Sequence, residues 1–200
     1  MNIVVVGGGT KGKFGYDFLQ LSELEGHNCY NFSYRDTDVD KIVSKFKATI
    51  PEHIDIMVYN SNRGSYPFWA ETDYQKNCKI NLSAYYDTLK VHVAIPHALC
   101  LEAFQNMDNT SKIVFMTAGS SMQFDRDYNT SDCGYAGGKA WQNHLMLALA
   151  QNNNLGITIS SISPHFEYGE KEYKNVFTKV YNHIIYHNKD VNGKIIKYGE

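Results

Sequence analysis

Short apolar runs alternate with longer stretches of helical spacing from one end of the chain to the other. The runs cover residues 3–6, 27–32, 54–59, 112–117, 157–162 and 194–198. Several are apolar throughout instead of alternating with polar positions, which suits strands buried on both faces of a parallel sheet. Between them, residues 14–25, 40–49, 74–106, 136–152 and 171–186 repeat apolar side chains every three or four positions and predict helices. This alternation predicts an α/β fold with a doubly wound parallel sheet and ligands at the carboxyl ends of the strands. No repeat, low-complexity tract or Pro/Ser linker interrupts it, so one domain over residues 1–200 is expected.

Composition narrows the field by exclusion. A chain of 200 residues is long enough to bury a full core. Its formal net charge of -2 and lack of any basic stretch argue against a nucleic-acid surface. Cys29, Cys78, Cys100 and Cys133 are widely spaced and form no Cys-x-x-Cys pair, which reads as reduced thiols in a reducing, cytoplasmic compartment. The first residues, Met1-Asn2-Ile3-Val4-Val5-Val6, lack a basic flank, and no apolar run approaches ~18 residues. Neither a signal peptide nor a membrane span is expected.

Two motifs carry chemistry. The first strand runs into Val6-Gly7-Gly8-Gly9-Thr10-Lys11-Gly12 and then a helix. Glycine allows the backbone a tight turn and close approach to a phosphate, and the helix start offers N–H groups and a positive dipole end to a pyrophosphate. The spacing reads two ways, as Gly8-x-x-x-Gly12-x-x-Gly15 or as Gly9-x-x-Gly12-x-x-Gly15, with Phe14 opening the helix beside it. The second strand ends in Phe32-Ser33-Tyr34-Arg35; Arg35 and Lys11 favour the 2′-phosphate of NADP(H) over NAD(H), with Asp36 pulling the other way. The second motif is Tyr135-Ala136-Gly137-Gly138-Lys139, whose four-residue spacing puts a phenol and an ammonium on one helix face.

On these residues the chain resembles the short-chain dehydrogenase/reductase family over essentially its full length. The segment Gly8-Gly9-Thr10-Lys11-Gly12 is similar to the family's TGxxxGxG turn, with Gly7 in place of the Thr and one extra residue before the last glycine. Tyr135 and Lys139 match its catalytic YxxxK, and Val191-Asn192-Gly193-Lys194-Ile195-Ile196 is similar to the approach to its final strand. Asp38-Val39 looks like the pair that touches adenine after the third strand, and Asn60-Ser61-Asn62 stands where the family has Asn-Ala-Gly. The resemblance implies a compact Rossmann domain with one crossover helix reduced to a loop and a short substrate segment after Pro164-His165. It implies cofactor contacts from Gly8, Thr10, Lys11, Gly12, Phe14, Arg35, Asp38, Val39, Asn60, Ser61, Tyr135 and Lys139. The catalytic Asn of the family falls at His92, or at Asn81 in a competing alignment. Its serine falls between Ala118 and Met122, which leaves Ser120 and Ser121 as candidates.

The activity implied is NADP(H)-dependent interconversion of a small carbonyl and alcohol. Tyr135 would be the acid–base group, activated by the neighbouring ammonium. Lys139 would also bond the nicotinamide ribose, and a serine would orient the carbonyl. A nucleotide-binding regulatory homologue without efficient chemistry is the rival, motivated by the unsettled serine, by His92 and by Pro164-His165. A sugar-nucleotide epimerase would fit the Gly9/Gly12/Gly15 spacing but leaves no room for its substrate domain. His183 and His187, four apart, read as a solvated helix face with no third metal ligand in view. Trp141, Leu145 and Leu149 read as core or subunit contact, and the resemblance implies a homodimer or homotetramer.

Overall fold

The computed structural model describes residues 1–9, 11, 13–35, 38–60, 82–117, 133–164, 170–186 and 189–198, the side chains of 82–85, 133–136, 170, 171 and 189 excepted. Six strands form one sheet: β1 (Asn2–Val6), β2 (Asn28–Phe32), β3 (Ile56–Tyr59), β4 (Lys112–Met116), β5 (Thr158–Pro164) and β6 (Ile195–Tyr198). Their order is β2-β1-β3-β4-β5-β6 and every neighbouring pair is parallel. The unbroken apolar runs became the inner strands, and all four residues of β3 are buried. The edge strand β2 instead exposes Asn28 and Asn31.

Helices cover both faces. The first is α1 (Phe14–Leu24), followed by α2 (Val39–Lys47), α3 (Leu82–Leu89), α4 (Ile95–Ala103), α5 (Cys133–Asn152) and α6 (Glu170–Tyr186). On one face, Ile42 and Phe46 of α2, Leu99 of α4 and Met146 of α5 share a core with Val4, Met57 and Phe115 of the sheet. On the other, Phe18 of α1 and Val180, Tyr181 and Ile184 of α6 pack with Ile3, Val5 and Val114. An aromatic seam joins α1 to α6, with Phe14 against Phe177 and Phe18 against Tyr181 at centroid separations of 5.6 and 5.1 Å.

Two local features depart from the sequence pattern. The helical spacing over 74–106 predicts one long element, yet between α3 and α4 the backbone opens into a π-helical turn over Lys90–Ala94. Proline explains it. Pro96 has no N–H to give the carbonyl four residues back, and its ring crowds that carbonyl, so the preceding turn widens. The N–H of Ile95 accordingly bonds the Lys90 carbonyl, five residues back. The second departure concerns Asp38-Val39, which the resemblance places after a third strand. The chain instead passes from β2 through α2 directly to β3, so this pair opens α2. There Asp38 is the N-cap, its Oδ1 accepting the Lys41 N–H at 3.2 Å, and Val39 packs against the core.

The strand order also locates the ligand crevice. The chain runs outward from β1 to β2 and then crosses back to β3 on the opposite side of β1. That reversal separates the connections at the carboxyl ends of β1 and β3, the place where open α/β sheets take their ligands.

Candidate active site

At the β1 end of the crevice the chain is held by backbone. Gly7 adopts φ +94, a conformation side-chain-bearing residues rarely take, and its N–H bonds the Phe32 carbonyl at 2.8 Å. A Cβ on Gly8 would collide with the Leu19 side chain and stand 3.0 Å from Asn31 Oδ1. A Cβ on Gly15 would lie 2.7 Å from Asn60 Nδ2, 2.9 Å from the Gly7 oxygen and 3.0 Å from the Gly8 Cα. Of the two glycine spacings, the close packing falls on Gly8 and Gly15. Asn60 follows β3 and ties the turn down: its backbone N–H bonds the Val6 carbonyl at 2.8 Å and its side-chain amide the Gly7 carbonyl at 3.3 Å.

The helix after this turn starts without a side-chain cap, because its N-cap is the extended residue Lys13. A tight glycine turn, filled wherever a Cβ would go and facing an uncapped helix start, fits the pyrophosphate of a dinucleotide. Phe14 is buried against Phe18 and Phe177, so its aromatic ring belongs to the core and only its backbone faces the turn. Lys11 and Arg35 are both exposed, and Gly9 approaches Ser33, two residues before Arg35, closely enough that a Cβ there would meet Ser33 Oγ at 3.2 Å. The two cations therefore sit on neighbouring segments. Thr10, Gly12 and Ser61 lie outside the described residues.

At the β4 end the chain is held by buried polar side chains. Lys139, on the inward face of α5, is 2% exposed, and its Nζ donates to the Met116 carbonyl at 2.9 Å and to Gln142 Oε1 at 3.0 Å. The first of these bonds puts the amine at the carboxyl end of β4. Burial favours the neutral amine and brings Lys139 down to about 7. His92 sits on the π-helical turn, also 2% exposed, and presses on α5 where a Cβ on Gly138 would strike its ring. Burial, and then the Lys139 charge, pull His92 down to about 3, so the imidazole is neutral through the physiological range. Tyr135 lies on α5 one helical turn before Lys139, its side chain outside the described residues. Ser120, Ser121 and Asn81 are likewise outside them.

A tyrosine pair supports the π-helical turn. With Ile95 bonded to Lys90 and no N–H on Pro96, the Val91 carbonyl has no helical donor. The Tyr59 hydroxyl, at the end of β3, donates to it at 3.2 Å and lies 2.6 Å from the Tyr34 hydroxyl beyond β2. Sequence reasoning missed Tyr59, Gly138 and Gln142. The available signal was polar spacing on α5: Lys139, Gln142 and Asn143 are all buried and precede Met146 on the same inward stripe. The expected stripe of Trp141, Leu145 and Leu149 is only partly inward, with Leu149 buried and the other two half-buried. His183 is committed to Tyr198, whose hydroxyl lies 2.7 Å from its Nδ1, and His187 lies outside the described residues. Among the described residues no helix is long and apolar enough to cross a membrane.

No protein-family model matches the sequence, and no curated protein matches it either. Solved structures do. An oxidoreductase of the short-chain dehydrogenase/reductase type from Brucella ovis is similar over 100% of both chains, with a TM-score of 0.74 and 18% identity. A variant of a Serratia marcescens short-chain dehydrogenase/reductase shares 17% identity over 98% of this chain and 95% of its own, with a TM-score of 0.72. BdcA, in a complex with NADPH, gives a TM-score of 0.72 at 14% identity over 98% of this chain and 91% of its own. At these identities the likeness establishes a shared fold: the six-stranded parallel sheet and its helices follow the architecture of short-chain dehydrogenases/reductases.

Proposed function

We propose that the protein is an NADP(H)-dependent oxidoreductase of the short-chain dehydrogenase/reductase type that interconverts a small carbonyl and an alcohol. The observation that carries this reading is the buried Lys139 amine at the carboxyl end of β4, one helical turn from Tyr135, with His92 seated against the same stretch of α5. A buried lysine is costly and is retained in folds chiefly where its charge is used. A phenol with pKa about 10 is a weak acid–base group at neutral pH, and an adjacent ammonium favours its ionised form. Tyr135 would donate its proton to the carbonyl oxygen in reduction and accept one from the alcohol in oxidation. Ser120 or Ser121 would orient that oxygen.

The turn of Gly7, Gly8 and Gly15 would hold the pyrophosphate, and Lys11 and Arg35 would take the 2′-phosphate that distinguishes NADP(H). A nicotinamide bound in the crevice would supply or take the hydride. The BdcA complex with NADPH supports the nucleotide choice by analogy of fold. A second reading, a nucleotide-binding protein without efficient chemistry, is favoured by His92: on the alignment that puts the family's Asn there, a buried neutral imidazole would take its place.

Titration with NADPH and NADH, followed by nucleotide fluorescence, comes first, and then NADPH consumption with small aldehydes and ketones. The expected result is tighter binding of NADPH and a turnover that Tyr135→Phe lowers by at least about 100-fold with nucleotide binding intact. Failure to bind either nucleotide removes both readings. Binding without any turnover that depends on Tyr135 selects the second.

A further inference from the structure

Gln142 occupies a position with no evident packing reason for an amide. It lies one turn beyond Lys139 on the inward face of α5 and is fully buried. Its Oε1 accepts from Lys139 Nζ at 3.0 Å, while its Nε2 finds no acceptor among the described residues. A buried donor left unpaired is costly, and an apolar side chain of the same length would avoid that cost. The amide is therefore retained for its oxygen. What that oxygen does follows from counting protons on the amine. A neutral amine has two N–H bonds, enough for the two acceptors that the described residues offer, the Met116 carbonyl and Gln142 Oε1. Only the ammonium has a third, and with two directions fixed by acceptors on β4 and α5, the direction of the third is fixed too.

We propose that Gln142 is a positioning residue for the reaction: its side-chain oxygen holds the Lys139 amine charged and aims its remaining N–H. The inference rests on the oxidoreductase reading for its purpose, though not for its test. Burial draws Lys139 down to about 7, and a hydrogen bond that favours the charged form would act against that shift. The titratable group facing Lys139 from the π-helical turn is His92, neutral above about 3, and Tyr135 lies one turn away on α5 itself. Gln142 thus sets the midpoint of Lys139 while the imidazole keeps its charge state.

The test follows the ¹³Cε shift of Lys139 in lysine-labelled apo protein across pH 5 to 11, assigned with Lys139→Met. Gln142→Met removes the acceptor and keeps the length, and the Lys139 midpoint should fall by about one unit. Gln142→Glu places a carboxylate at the same distance, and the midpoint should rise by about one to three units. In active protein the pH limb of kcat should move in the same two directions, with KM for NADPH changed less. Midpoints that coincide in wild type and folded Gln142→Met overturn the proposal, and that variant suffices where Gln142→Glu fails to fold. A plain packing role would change stability in both variants without moving Lys139 in opposite directions. Shifted midpoints in a protein that turns over no carbonyl would leave the positioning intact and remove the oxidoreductase reading instead.

Discussion

At the β1 end of the crevice, position is set by main chain: Gly7 at positive φ, Gly8 and Gly15 packed without side chains, and Asn60 bonded to the Val6 and Gly7 carbonyls. At the β4 end it is set by side chains that water cannot reach, with Lys139 held by Met116 and Gln142, and His92 wedged against Gly138. The first end carries no titratable group among its fixed contacts and should be indifferent to pH. The second contains two ionisable groups whose charged forms burial opposes. A backbone site can be rigid at no electrostatic cost, whereas the proton-moving site proposed for the β4 end would need a group near its titration point, as Lys139 is. Under the proposed function, the difference in construction follows the difference in task.

The largest effect that separates the two ends is acid sensitivity. His92 is held at about 3 in the fold against 6.5 in the unfolded chain. The unfolded state therefore binds more protons between those values, and the stability this site contributes is complete above about pH 6.5 and lost as pH falls toward 3. Urea denaturation of wild type and His92→Asn at pH 4, 5, 6 and 7 measures it. The wild-type slope of stability against pH should exceed that of the variant by up to about 1.4 kcal/mol per unit in this window. Parallel slopes would show that His92 is solvated and that the π-helical turn does not seal it.

The backbone end breaks by a different route. Gly15→Ala puts a methyl against the Gly7 carbonyl and the Gly8 Cα, neither of which can move without opening the turn. Overpacking of this kind costs about 1–3 kcal/mol. The Asn60 bond to Gly7 should go with it, so NADPH affinity should fall by at least about tenfold while the acid limb from His92 keeps its slope. Melting curves with and without NADPH at two pH values read both. A variant that binds NADPH normally would place the pyrophosphate elsewhere.

Sequence reached these two ends unequally. The sheet was legible because inner parallel strands are apolar on both faces, and β1, β3 and β4 carry that mark plainly. The glycine turn was legible because only glycine tolerates the close approaches at Gly8 and Gly15. The local setting of Asp38 was less so: the resemblance placed it after a third strand, and the structure shows it after β2 as the N-cap of α2. At the other end, Tyr135 and Lys139 stood out by spacing, but Gln142 and Tyr59 did not. A glutamine on a helix reads as surface until packing turns it inward, and a tyrosine closing an apolar run reads as core. The partner of Tyr59 is a carbonyl that Pro96 leaves without a donor, a relation across more than thirty residues that no local pattern carries.

The smallest prediction sharpens the contrast with the same chemical change. Three of the helical glycines near the site can be compared directly, and a methyl means something different at each. At Gly15 it meets the Asn60 amide and the backbone of Gly7 and Gly8, at Gly138 the His92 ring, and at Gly137 no atom of the described residues within 4 Å. Gly137 has no close neighbour among the described residues, so alanine there should cost nothing in the fold. It should also narrow the conformations open to the unfolded chain. Gly137→Ala is expected to stabilise the protein by about 0.5–1 kcal/mol, read as a higher urea midpoint at unchanged slope. Because Gly137 precedes Gly138 and Lys139, the variant also asks whether α5 must flex for turnover. If stability rises while kcat is unchanged, the two glycines have separate roles, one seating His92 and the other dispensable. If kcat falls as stability rises, the β4 end depends on mobility in α5, and burial alone does not account for how its side chains are held.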